Sequence, residues 1–132
     1  MALELTDDQR AIIESPNFAY IATINKDGSP QVTPVWVEHD GDYIVVNSED
    51  SRRKVRNVKR DPRVSLSIAD AANPYHYVNI TGHVVEVTAE GGFEGIDRLA
   101  KKYIGQDKYP WNKPEDVRVQ IRIAVDKIST PQ

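Results

Sequence analysis

Phe18–Ser48 reads FAYIATINKDGSPQVTPVWVEHDGDYIVVNS, and this stretch decides the fold. Phe18–Ile24 mixes aromatic, β-branched and small residues in the manner of a strand, and Asn25–Pro30, with its Asp27-Gly28 pair, is a turn. Gln31–Glu38 is a second strand. Its Pro34 has no amide donor, so the strand belongs at a sheet edge or carries a bulge at that point. Asp40-Gly41 then makes a hairpin turn into a third strand, Tyr43–Asn47.

The segment that follows, Ser51–Arg63 (SRRKVRNVKRDPR), carries seven cations against the single acid Asp61. Its net charge is +6 in a chain of net −3, which leaves −9 for everything else. Positive charge gathered in one place on an acidic chain marks a localised anion site rather than a polyanion-binding surface. A helix is expected here, with Ser51 as its N-cap and Asp61-Pro62 as its stop. At about 100° per residue, Val55 and Val58 define its buried side, Arg53, Arg56 and Arg60 lie opposite, and Arg52 and Lys54 flank the stripe. Cations at a helix N-terminus are disfavoured by the macrodipole, by roughly a few tenths of a kcal/mol or more. The Ser51 hydroxyl, the free backbone N–H groups and three consecutive cations converge on that first turn, a combination that suits a phosphate. Arg56, Lys59 and Arg60 read as a solvated charged face.

Around this centre the pattern stays mainly β. Thr6 and Gln9 form a capping box for a helix through about Ser15. Arg63–Ala69 and Tyr75–Thr88 are strands, the latter bulged at Gly82. Gly92–Ile104 is a helix whose Phe93, Ile96, Leu99, Ala100 and Tyr103 form a core face. A polar loop, Gln106–Asp116, bears Tyr109, Pro110 and Trp111. The last strand, Val117–Ile128, points Val117, Val119, Ile121, Ile123 and Val125 one way and Arg118, Gln120 and Arg122 the other. Six strands joined mostly by hairpins, with three short helices, predict a single mainly β domain over residues 1–132, a closed or nearly closed antiparallel barrel.

Composition narrows the function. The chain is 39% hydrophobic and 28% charged, ordinary for a soluble globular domain. It has no apolar run of the roughly 20 residues that span a bilayer, and its first residues do not resemble a secretion signal, so a cytoplasmic protein without membrane contact is expected. The absence of cysteine removes disulfides, thiolate metal sites and thiol nucleophiles. His76 and His83 lie seven apart in an extended strand, on opposite faces, which argues against a shared metal. No nucleophile–base–acid set stands out, so no catalytic residue is named. The basic run holds no aromatic and the remainder is acidic, which disfavours nucleic acid. Tyr75, Tyr77, Tyr109 and Trp111 can equally line an aromatic pocket or pack in a core or interface.

The order and spacing of Thr23–Pro30 (T-x-x-x-D-G-x-P), of Pro34-Val35-Trp36, and of R-R-K-V-R-N followed by R-D-P-R-V-S-L resemble the split-barrel flavin/deazaflavin oxidoreductases related to pyridoxamine-phosphate oxidase. The resemblance runs from the first helix to about Thr88, and the spelling of the basic segment is most similar to the branch that uses coenzyme F420. It implies a six-stranded antiparallel split barrel that forms a homodimer, with a groove at the subunit interface for F420, or FMN as the alternative cofactor. It further implies that Gln31, Val32, Thr33, Pro34 and Val35, with Val46, Asn47 and Ser48, contact the cofactor ring largely through backbone groups. Ser51, Arg52, Arg53 and Lys54 would grip the phosphate, Asn57 would lie near the same groove, and Tyr75 and Tyr77 would help wall the ring or a small-molecule substrate. The chain departs from pyridoxamine-phosphate oxidases in lacking their R-x-x-x-L-K strand motif and C-terminal substrate-binding arginine segment, which argues against oxidation of vitamin B6 phosphates. The implied activity is hydride transfer from reduced deazaflavin to an electron-poor substrate. A non-enzymatic carrier of flavin, haem or another hydrophobic anion is the rival reading.

Overall fold

A computed structural model describes residues 3–130. Helix α1 (Asp7–Glu14) opens with the expected capping box, in which Thr6 and Gln9 exchange side-chain and backbone hydrogen bonds. Seven strands follow, β1 (Ala19–Ile24), β2 (Pro30–Val35), β3 (Val37–Asp40), β4 (Tyr43–Glu49), β5 (Arg63–Asp70), β6 (Asn73–Thr88) and β7 (Arg118–Ser129). Helix α2 (Arg53–Arg60) lies between β4 and β5, and α3 (Gly92–Ile104) between β6 and β7.

The strands form one antiparallel sheet in the order β2-β1-β5-β6-β7-β4-β3. Seven strands replace the expected six because Trp36 divides the second one. β2 forms one edge of the sheet and β3 the other, yet only Trp36 separates them in sequence. One residue spans a few ångströms, so the two edges must meet there, and the sheet curls into a split barrel with its seam at Trp36. Pro34 lies in edge strand β2, the position expected of a residue without an amide donor.

Side chains that alternate inward fill the barrel. Ala19 and Ile21 of β1, Val64, Leu66 and Ile68 of β5, Val78 and Ile80 of β6, and Val119, Ile121 and Ile123 of β7 are all buried in one core. Val55 and Val58 seat α2 on that core, as their spacing predicts. The expected irregularity at Gly82 is a register shift, and a side chain there would meet the Ala124 carbonyl oxygen at 2.3 Å.

Three local expectations are corrected. The N-cap of α2 is Arg52 and makes no side-chain cap, because the Ser51 hydroxyl instead donates to the Glu49 carboxylate. Phe93 is 46% exposed rather than core, and Val117 precedes β7 and is also exposed. Arg118, on the face of β7 opposite Val119 and Ile121 as expected, is only 8% exposed, because α3 covers the outer face of β7 and β4 and buries both sides of those strands there.

Candidate functional site

The described chain presents a cleft of about 620 Å³ between the Trp36 seam, the end of β4, the start of α2 and the loop after α3. Part of the lining is aromatic. Trp36 stacks on Tyr103 with centroids 5.1 Å apart and planes 5° from parallel, and Phe18 stacks on the same ring at 5.9 Å. Tyr109 meets Trp36 edge-on at 5.9 Å and Trp111 edge-on at 5.5 Å. Five rings packed face to face and edge to face build an apolar aromatic cluster.

Beside the rings the lining is cationic, with Arg52, Lys54 and Arg118 and a single carboxylate, Glu49. The side chains of Arg52 and Lys54 make no hydrogen bond or ion pair among the described residues. Burial, then the nearby charges of Arg52 and Arg118, hold the Lys54 ammonium below its usual pKa. Burial also lowers that of Arg118, whose guanidinium nevertheless remains charged. Arg118 Nε donates to Asn47 Oδ1 at 2.9 Å, while Asn47 Nδ2 donates to the Gly92 carbonyl at 2.8 Å. The same guanidinium lies 5.2 Å above the Tyr109 ring. Thr33 of β2 also lines the cleft, and its hydroxyl is buried without a hydrogen-bond partner among the described residues.

The expected site residues separate into groups. Thr33, Pro34, Val35, Asn47, Ser48, Arg52 and Lys54 line the cleft. Arg53 turns to the opposite flank of α2 and lines a second groove of about 490 Å³ with Lys26, Asp27, Arg56, Asn57 and Arg60. Asn57 is 3% exposed, and its amide donates to Thr23 Oγ1 and Asn25 Oδ1, both at 3.0 Å, pinning α2 to the end of β1. Arg60 is not simply solvated, since it donates to the Ile24 carbonyl and to Asn57 Oδ1. Gln31 sits beside Thr23 and Asn57, Val46 is fully buried in the core, and Val32 faces outward at 60% exposure. Ser51 is tied to Glu49, Tyr75 is 83% exposed, and Tyr77 pairs with Ala69 away from the cleft. His76 is engaged by Asp8 and Asp70, and His83 by Asp126.

Sequence reasoning missed Arg118, Trp36, Phe18 and Tyr20 as cleft residues. A signal for Arg118 existed in Gly92 and Gly95, three apart on one face of α3. Small residues at that spacing let a helix lie directly on a strand and bury whatever the strand presents.

The fold is shared with solved proteins. An F420 reductase is 28% identical with a TM-score of 0.82, over 95% of this chain and 98% of the other. A conserved hypothetical protein from Mycobacterium tuberculosis is 22% identical (TM-score 0.75, covering 99% of this chain and 86% of that one). The HupZ protein of Group A Streptococcus is 18% identical (TM-score 0.71, 96% and 94%). The family model described as pyridoxamine 5′-phosphate oxidase matches residues 5–130, and with the split barrel and its cleft in place the chain belongs to that family.

Proposed function

We propose that the protein is an F420-dependent oxidoreductase that reduces an electron-poor small molecule, with FMN as the alternative cofactor. The observation that carries the reading is the polarity of the cleft. Aromatic rings and, beside them, cations with no ion-pair partner among the described residues match a ligand with a planar ring and an anionic side chain. The 28% identity to an F420 reductase over nearly the whole of both chains supports the deazaflavin over the flavin.

In this reading Thr33, Pro34 and Val35 of β2 line the ring, while Arg52 and Lys54 hold the phosphate. Arg53, Arg56, Arg60 and Lys26 flank the second groove, where a longer acidic tail would find further positive charge. Reduced F420, when bound, supplies a hydride, and the protein supplies orientation and exclusion of water. Trp36, Tyr109 and Trp111 provide the apolar surface on which a flat substrate stacks.

The active form in this reading is a homodimer. Tyr20 and Val32, 49% and 60% exposed, lie on the outer face of β1 and β2 beside a groove of about 370 Å³ lined by Ser65, Ser67, Asn79 and Thr81. Tyr20 borders both that groove and the cleft, so a second copy docked there would also wall the cofactor site.

Side-by-side fluorescence titration with F420 and FMN tests the cofactor. Tighter binding of F420 is expected, tighter FMN binding would transfer the role to the flavin, and binding of neither would refute the reading. Turnover of reduced F420 with enone, quinone or tetrapyrrole acceptors separates an enzyme from a carrier.

A further inference from the structure

Of the three cations in the cleft, Arg118 alone is more than nine-tenths buried. Its burial is built in from three sides. Asn47 of β4 accepts from Nε, Tyr109 of the loop lies under the guanidinium, and α3 presses on the Arg118 backbone so closely that a side chain at position 92 would sit 2.0 Å from the Arg118 carbonyl oxygen. Asn47 is itself fixed by its bond to the Gly92 carbonyl. The guanidinium is therefore held in one orientation, with its Nη groups left over.

No carboxylate among the described residues forms an ion pair with it. Asp116 and Glu49 act on it only at longer range, and Arg52 repels it. A desolvated cation without a close counter-ion, beside two other cations, is a poor structural element, and an apolar residue of similar volume would serve packing better. The planar fork of a guanidinium matches two oxygens of a phosphate or carboxylate.

We infer that Arg118 is an anion-binding residue of the cleft, its fork preset by Asn47 and Tyr109 to receive two oxygens of a phosphate or carboxylate alongside Lys54. The identification of the anion with the cofactor phosphate rests on the proposed function. The presence of an oxyanion receptor at Arg118 does not.

The test compares the wild-type chain with Arg118→Gln and Arg118→Lys. Ligand pairs that share a ring but differ in the phosphate are titrated, FMN against riboflavin and F420 against its phosphate-free deazaflavin alcohol. Inorganic phosphate and acetate are added in parallel thermal-shift runs. The expected result is a preference for the phosphorylated ring that falls about tenfold or more in Arg118→Gln, with loss of stabilisation by inorganic phosphate. The melting temperature of the ligand-free variant should hold or rise, because an uncompensated buried charge has been removed. Arg118→Lys keeps the charge but loses the fork, and should recover only part of the preference; it also serves if Arg118→Gln does not fold. Unchanged ring preference together with an unchanged response to both phosphate and acetate would overturn the inference, as would equal weakening of phosphorylated and unphosphorylated rings. Acetate protection that depends on Arg118, with the ring preference intact, would keep the receptor and assign it to a substrate carboxylate. If the wild-type chain binds none of the rings, the proposed function fails, and the inorganic phosphate and acetate arms still decide Arg118.

Discussion

Tyr103 reaches from α3 to lie flat against Trp36, and its hydroxyl spans the barrel seam. It donates to the Asn17 carbonyl at 2.6 Å and accepts from the Val37 amide at 3.2 Å. Asn17 lies just before β1 and Val37 begins β3, so one side chain ties together the segments on both sides of the aromatic wall. Burial raises the phenol to a pKa of about 12, so this tie is neutral across the physiological range. Tyr103→Phe keeps the stack but removes both hydrogen bonds, leaving the buried Val37 amide without this acceptor. A loss of about 1–2 kcal/mol in urea unfolding is expected. Tyr103→Leu also removes the stack, and should weaken ring binding more than Tyr103→Phe does.

The close approach of α3 to β7 makes Gly92 far less replaceable than Gly28. A Cβ at Gly92 would lie 2.0 Å from the backbone oxygen of Arg118, whereas Gly28 has open space around it and only a φ of +88° to satisfy. Gly92→Ala should cost about 3 kcal/mol or more, by separating α3 from the strand that carries Arg118. Gly28→Ala should cost about 1 kcal/mol, from backbone strain alone. Chemical denaturation of the two variants under one set of conditions checks the ordering, and a larger cost at Gly28 would contradict it.

The fold was legible because its signals are local. The Asp-Gly turns at 27–28 and 40–41, the alternation of β5 and β7, and the capping box at Thr6 each act within a few residues. The division of the second strand at Trp36 was not legible, since it follows from closure of the sheet on itself and only long-range pairing reveals it. The site divides in the same way. Charge at the start of α2 can be counted in the sequence, but Arg52 and Lys54 lining the cleft while Arg53 lines the far groove depends on how Val55 and Val58 seat the helix. Arg118 looked like one more polar residue on an alternating strand, and only the packing of α3 over the outer face of β7 buries it.

His76 links α1 to the β5–β6 hairpin. Its Nε2 lies 2.6 Å from Asp8 and its Nδ1 3.3 Å from Asp70. Asp8, then Asp70, raise its pKa above the usual 6.5. A raised folded-state pKa means that the link contributes fully below 6.5 and is lost as pH rises through the folded value. His76→Gln should therefore destabilise the protein relative to wild type most at about pH 5.5, and the gap should narrow towards about pH 9. Unfolding of both proteins at three pH values decides the point, and a gap independent of pH would contradict it.

The cations of the α2 segment should not be equivalent in binding. Lys54 faces the cleft, half-buried and without a counter-ion, whereas Lys59 is exposed and already paired with Asp50 at 3.6 Å. Lys54→Ala should weaken F420 or FMN binding by about tenfold or more, the worth of a charge-assisted hydrogen bond in a partly desolvated site. Lys59→Ala should change affinity by less than about twofold, as expected for an exposed pair far from the ligand. Arg53→Ala separates the two cofactors, because Arg53 faces the second groove, where only a ligand with an extended acidic chain would reach. It should reduce F420 affinity more than FMN affinity. Ser51→Ala should leave both affinities nearly unchanged, since that hydroxyl is engaged by Glu49 and does not cap the helix. Titrating the four variants with both cofactors checks the whole pattern, and equal losses at Lys54 and Lys59 would show that α2 acts only through its overall charge.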